Sequence, residues 1–350
     1  MLKNQSTFKI AIQVILFGAL GLLILYLMWQ SLGSSYEEEC ALNGIPSDEC
    51  SLLDKLVDDY RSAKVSWLVV ISVCFFLSQL FRAIRWVILL KPMGYNISHA
   101  NSLATTLVGY FANLGAPRIG EFVRAGLICK YEKIPVEKAF ATIVIERIID
   151  VMMLAILLAL GFIFHFENLW GYISKNLSIS YSYIGYFLLF VVIVAVGGIY
   201  LLRLILRLED ERLGKISLKL KKMLQGFIEG FKEVRNIPNK GAFWTYSFGI
   251  WIMYFLMHYL AFFSYEPTSH LSMIDAILVF DFGSLGVAFP SQGGMGSYHF
   301  MIMESLKIFG IPPIEGMSFA MITFFTLTVF CTILLGLISL ILLPFINRTQ

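Results

Sequence analysis

Residues 117–124 read PRIGEFVR, between the apolar stretches LVGYFANLGA (107–116) and AGLIC (125–129). Proline disfavours helical geometry at the residue before it and brings no N–H to a helix, so Pro117, with Gly115 and Gly120 beside it, breaks any helix here. A second helix is expected to begin near Arg118. Its first turns then carry Arg118, Glu121 and Arg124 at three-residue spacing on one broad face. Glu121 can pair with either arginine, which leaves one without an acid in the stretch. Arginine in contact with hydrocarbon is costly, so the unpaired one is expected to face a cavity, another acid or a lipid phosphate, whose geometry a guanidinium matches with two parallel bonds. The bland alternative is a surface loop whose arginines follow the bias of positive charge towards the cytoplasm.

The rest of the chain makes membrane depth relevant. Of its 350 residues 58% are hydrophobic and only 15% are charged, with a mean hydropathy of +0.75; soluble domains carry roughly 25% charge. Apolar stretches near 9–29, 66–90, 139–164, 182–206, 242–263 and 315–345 are long enough to cross a bilayer. A soluble helical protein could not bury so much apolar surface. The first stretch is longer than the core of a signal peptide and no small-residue cleavage site follows, so it reads as a retained helix. The expected fold is all-α: a single transmembrane domain over 1–345 with six full spans and two re-entrant hairpins, one in 100–129 and one in 272–309.

Charge sets the orientation. Segment 30–65 carries eight acidic residues against Lys55, Arg61 and Lys64, and reads as an extracytoplasmic loop. Its Cys40 and Cys50 either form a disulfide on an oxidising face or stand as two thiols. Arg82, Arg85 and Lys91 read as the cytoplasmic end of the second span. Segment 207–240 holds nine basic residues against five acidic ones and reads as a cytoplasmic loop or an amphipathic surface helix. Both termini then face the cytoplasm, at the inner membrane. Parity makes the halves, about 9–164 and 182–345, opposite in orientation, an inverted repeat with broken helices near the midplane, as in transporters.

Two further constellations stand out. The span opening AFATIVIERIIDVMMLAILL places Glu146, Arg147 and Asp150 about two turns into an apolar run. Two carboxylates four apart on one face call for a cation, and Arg118 or Arg124 is the expected source; salt bridging for structure alone is the rival reading. The second break, DFGSLGVAFPSQGGMGSYHF (281–300), joins Pro290 to Gly293, Gly294 and Gly296. Helix N-termini after such a turn attract anions, so Gln292, Gly293 and Gly294 join the candidate substrate-binding set. GGMG lacks the lysine of a phosphate-binding loop and follows no strand, so no nucleotide cofactor is expected. The five histidines form no legible metal cluster, and nothing points to nucleic acid. Asp281 lies in the entering arm of this break.

GYFANLGAPRIGEFVRAGL, KIPVEKAFATIVIERIID and GVAFPSQGGMGSYHFMIMESLKIFGIP together resemble the lysylphosphatidylglycerol synthase transmembrane family, also called UPF0104 or YbhN-like. The resemblance spans about 10–345. In its bifunctional members this unit is a flippase for aminoacylated phosphatidylglycerol, made by a separate soluble domain. The sequence ends just after its last span, so aminoacyl transfer is not expected of it. Other relatives have been linked to polyprenyl-linked sugars and to hopanoids. The resemblance therefore implies a lipid translocase acting on a phospholipid or a polyprenyl-linked lipid. In that reading Arg118 and Arg124 hold a phosphate while Glu121, Glu146 and Asp150 orient them or meet a cationic part of the head group. No ATPase motif is present, so movement would be driven by a gradient or run downhill. The alternatives are a membrane glycosyltransferase with a polyprenyl-phosphate donor, for which Glu121, Glu146 or Asp150 would be the base, and a structural membrane partner. The lipid and the oligomeric state are not legible.

Overall fold

The computed structural model describes residues 2–177 and 237–348, apart from 43, 47–49, 117, 238 and 290. The expected span 182–206 and nearly all of the basic segment 207–240 lie outside the described residues. Among those described, the secondary structure is helical throughout. In chain order the helices are α1 (Leu2–Leu42), α2 (Leu52–Ser62), α3 (Val65–Leu90), α4 (His99–Gly115), α5 (Ile119–Glu132), α6 (Val136–Phe164) and α7 (Phe166–Leu177). They continue with α8 (Lys240–Ala261), α9 (Met273–Ala288), α10 (Ser297–Ile308), α11 (Pro313–Phe324) and, after a π-helical stretch at Phe325–Cys331, α12 (Thr332–Ile346).

Four of these segments are long and apolar enough to cross a membrane: Ile15–Leu42, Val65–Met93, Lys240–Ser264 and Pro313–Ile346. A fifth is Val136–Phe164 with Phe166–Tyr172 if that pair, bent by 81°, counts as one span. The chain is thus an all-α multi-pass membrane protein. Its outward faces carry Val151, Ile156 and Ile163 on α6 and Ile338, Ile341 and Phe345 on α12, all exposed. Such faces are tolerated in hydrocarbon, where apolar side chains gain nothing by turning inward.

Segment 30–65, expected as the connection between the first two spans, is largely helical. α1 continues to Leu42, and α2 follows after a short connection. Cys40 and Cys50 form a disulfide that ties the two. α2 is amphipathic and packs on α11. Lys55 Nζ donates to Asp59 Oδ1 at 2.7 Å and to Glu315 Oε1 at 3.2 Å, and Ser318 Oγ donates to Asp59 Oδ2 at 2.6 Å. Partial burial would weaken the Lys55 ammonium, but the two carboxylates outweigh it and hold its pKa above the ordinary lysine value. Tyr265 also donates to Glu315.

The two breaks expected from the sequence are present, and each joins a pair of packed helices. α4 and α5 touch backbone to backbone: a Cβ added at Gly120 would collide with the Gly109 carbonyl. Small residues at a crossing permit this approach. The turn places Arg118 at φ 62°, a left-handed conformation that costs a residue with a Cβ. Asn113 Oδ1 accepts from Gly120 N at 2.7 Å, satisfying a first-turn donor of α5 that has no partner in its own helix. In the second pair, Ser272 and Asp275 form a capping box at the start of α9. Its turn is closed by Ser297 Oγ, which donates to Gly286 O at 2.6 Å. The turns of the two hairpins meet, since Gln292 Nε2 donates to Leu114 O at 2.8 Å and to Gly115 O at 3.0 Å. α3 lies against α8, α4 against α12, and α6 against α9.

Candidate functional site: a buried arginine–carboxylate network

α6 supplies the centre of the site. Glu146 and Asp150 are one turn apart and buried, at 0% and 8% exposure. The sequence asked for a cation beside them, and the structure brings four. Arg124 Nη1 of α5 donates to Glu146 Oε2 at 2.6 Å. From α3, Arg82 Nη1 reaches Asp150 Oδ2 at 2.9 Å and Arg85 Nη2 reaches Asp150 Oδ1 at 3.1 Å. Arg85 also lies 3.6 Å from Glu146 Oε1. Arg147, half-exposed, bridges outward, with Nη2 3.1 Å from Asp150 Oδ2 and Nε 3.5 Å from Glu121 Oε1.

Arg82 and Arg85 correct the sequence reading. They were expected to mark a cytoplasmic helix end; instead they are buried within α3, at 2% and 0% exposure. They belong to a polar stripe with Ser78 and Gln79, also buried, that faces α6 and α8. From α8, Ser247 Oγ accepts from Arg85 Nη1 at 3.5 Å, and the Tyr254 hydroxyl accepts from Arg82 Nη2 at 3.0 Å and bonds Tyr110 of α4 at 2.9 Å. The stripe was hidden because basic residues near the end of a span are usually there for orientation.

Arg118 and Arg124, equal in the sequence, differ in the structure. Arg124 is buried and its guanidinium lies over the Trp86 ring, 3.7 Å from the centroid, which adds a cation–π attraction. The Trp86 indole is fixed by Nε1 donating to Thr142 Oγ1 at 2.8 Å. Arg118 is exposed, and among the described residues it enters no ion pair. Glu121 pairs with Arg147, with neither Arg118 nor Arg124. Gln292, Gly293 and Gly294 stand at the meeting point of the two turns. There the Gln292 amide is used to hold the first hairpin, and no described contact joins it to the arginines.

The charge balance of this network is uneven. Three buried arginines, Arg82, Arg85 and Arg124, face two buried carboxylates, a surplus of one positive charge. The outer pair of Arg147 and Glu121 leaves that surplus unchanged. Hydrogen bonding is also incomplete: Arg124 Nε and Nη2, the Nε of Arg82, Arg85 and Arg147, and the acceptor Glu146 Oε1 have no hydrogen-bond partner among the described residues. A buried donor without a partner costs free energy, and a buried charge more. Among the described residues no group of His, Cys, Asp and Glu is arranged to hold a metal ion.

The chain is a multi-pass helical membrane protein with a buried polar centre and two broken helix pairs, features that are costly in a bilayer unless protein or water surrounds them. Comparison with known proteins narrows this. Residues 52–335 match the model of the lysylphosphatidylglycerol synthase TM region, and the chain belongs to that family. It is similar to a UPF0104 membrane protein of Methanocaldococcus jannaschii, 24% identical over 75% of this chain and 80% of that one. A UPF0104 membrane protein of Pyrococcus horikoshii is 25% identical over 70% and 77%, and one of Methanothermobacter thermautotrophicus 23% over 74% and 80%. No solved structure matches the chain. The family is consistent with a lipid-handling role.

Proposed function

We propose that this protein moves a lipid with an anionic, phosphate-bearing head group across the bilayer, the head group passing through the arginine network while the tails stay in hydrocarbon. The observation that carries the reading is the surplus buried positive charge with unpartnered guanidinium donors on Arg124, Arg82 and Arg85. A phosphate offers two oxygens to two nitrogens of one guanidinium in parallel, which a halide or a hydroxyl, with a single acceptor atom, does not. Glu146 and Asp150 hold the arginines apart and in register. Arg118, exposed at the break, meets the head group first, and Glu121 with Arg147 lines the way in. Gln292, Gly293 and Gly294 act by locking the two turns together and releasing them.

The architecture supports an alternating mechanism. At roughly 1.5 Å per residue, α4 and α5 are about 26 and 21 Å long and α9 and α10 about 24 and 18 Å, each short of a hydrocarbon core of about 30 Å. With their turns in contact, they read as re-entrant hairpins entered from opposite faces. The packing is reciprocal: the first arm of each hairpin lies on the closing span of the other half, α4 on α12 and α9 on α6. These features support the reading expected from the sequence, two inverted halves with termini at the cytoplasm and the disulfide outside.

The test is a translocation assay in vesicles holding only this protein, with fluorescent lipids bearing anionic, zwitterionic and uncharged head groups. Selective movement of the anionic lipid is expected. Equal rates for all three, or none, would reject the reading.

A further inference from the structure

Asp281 stands apart from the network. It lies midway along α9, is 2% exposed, and neither of its carboxyl oxygens has a hydrogen-bond partner among the described residues. Its side chain presses on α6 at the one place in that stretch where no side chain stands. A Cβ at Gly161 would collide with Asp281 Oδ2. Gly161 follows Asp150 by eleven positions, about 16 Å along α6. α6 thus meets two carboxyl groups of opposite character, its own Asp150 and, from α9, Asp281. Asp150 is clasped by three arginines; Asp281 is set against bare helix backbone.

The groups around it do not pair with it. α6 has no ionisable side chain between Asp150 and His165. His165 Nε2 lies 3.0 Å from Ile274 O and 3.9 Å from Asp275. On α8, His258 Nδ1 is engaged with Tyr254 O at 3.1 Å while its Nε2, near Gly283 of α9, is buried with no hydrogen-bond partner among the described residues, and Tyr254 and Tyr259 are the other titratable groups of that stretch. On α10, the Tyr298 hydroxyl bonds Thr323 Oγ1 at 3.0 Å, His299 packs on Phe324, and Lys307 is held by Glu304. No arginine or lysine of the described residues forms an ion pair with Asp281. An ionised carboxylate without partner or water is strongly disfavoured at such a place, and ionisable groups inside membrane helices are there for function far more often than for packing.

We propose that Asp281 is a proton-binding site. With α9 seated on Gly161, its carboxyl holds a proton. When the hairpin separates from α6 and water enters, the carboxyl O–H bond breaks, the proton passes to water and the hydrated carboxylate remains. The seating of the second hairpin is thereby linked to proton activity. The use of that linkage in transport rests on the translocation reading; the proton site itself does not.

Dicyclohexylcarbodiimide, which modifies protonated carboxyls in apolar surroundings, tests this on the resting protein without any lipid assay. In vesicles, mass spectrometry should find Asp281 modified, with a yield that falls as pH rises, while Asp150 in the same molecule stays unmodified. Asp281→Asn should lose the label. Gly161→Ala, which pushes α9 off α6 and lets water reach the carboxyl, should reduce the label several-fold. An unmodified Asp281 in the folded wild-type protein, or a yield independent of pH, overturns the proposal, and either result is read on the wild type even if a variant fails to fold. A protein that labels as expected but moves no lipid would sink the translocation reading and leave the proton site standing.

Discussion

Asp150→Asn and Glu121→Gln make the same chemical change, a carboxylate to its amide, in two parts of one network, and the structure assigns them different costs. Asp150 is 8% exposed and engages Arg82, Arg85 and Arg147 at 2.9 to 3.1 Å. Its neutralisation leaves three buried arginines facing a single buried carboxylate, Glu146. Removing one partner from a buried ion pair typically costs about 3–5 kcal/mol, because the charge left behind is neither solvated nor paired. Glu121, with a side chain 34% exposed, meets Arg147 alone among the described residues, at 3.5 Å, and Arg147 is itself 43% exposed. Screened pairs of this kind contribute up to about 1 kcal/mol. Unfolding in mild detergent, followed by size-exclusion recovery after heating and by denaturant titration, should therefore show Asp150→Asn strongly destabilised and Glu121→Gln near wild type. The double variant Arg82→Gln/Asp150→Asn should recover part of the loss, with a coupling of about 0.5–3 kcal/mol, since it removes one of the stranded charges. Equal stability of the two single variants, or a double variant no better than Asp150→Asn, would refute the account of the network.

Gly120→Ala should open the first hairpin, because its Cβ meets the Gly109 carbonyl and backbone cannot yield as a side chain end can; low recovery of folded protein in detergent checks it, and wild-type recovery would contradict the close crossing. Gln292→Ala should loosen the contact of the two turns, read as faster labelling of a cysteine placed at Leu114, whose carbonyl Gln292 now holds. Single cysteines placed in 51–60 of a variant without Cys40 and Cys50 should label from outside intact cells, and those in 99–101 only after permeabilisation; the reverse pattern would invert the proposed orientation.

The features that depend on local chemistry were legible in the sequence. Proline and glycine inside apolar runs marked both breaks, and carboxylates one turn apart in the middle of a span marked Glu146 and Asp150 as needing cations. What escaped was set by tertiary contact. Arg82 and Arg85 lie where orientation charges are expected, and only the packing of α3 on α6 and α8 shows them turned inward; their i, i+3 spacing in line with Ser78 was the available signal. Arg118 and Arg124 share a helix face by spacing. Arg118, however, is the residue before the first turn and adopts a left-handed backbone, so it leaves that face. Segment 30–65 read as a loop because its acidic residues hid an amphipathic helix, α2, whose buried face needs α11 to be recognised.

The central claim is that the buried guanidinium donors take the phosphate of a lipid head group, and Arg124 tests it most directly. Loss of a charge-assisted hydrogen bond is worth about 1.5–3 kcal/mol. Arg124→Gln, brought to wild-type abundance and a single detergent species, should therefore move a fluorescent phosphatidylglycerol about 10–150-fold more slowly in vesicles. Arg124→Lys should restore only part of the rate, because it keeps the charge and loses the planar fork. Unaltered movement of phosphatidylglycerol by folded Arg124→Gln would contradict the account and leave the network a structural device.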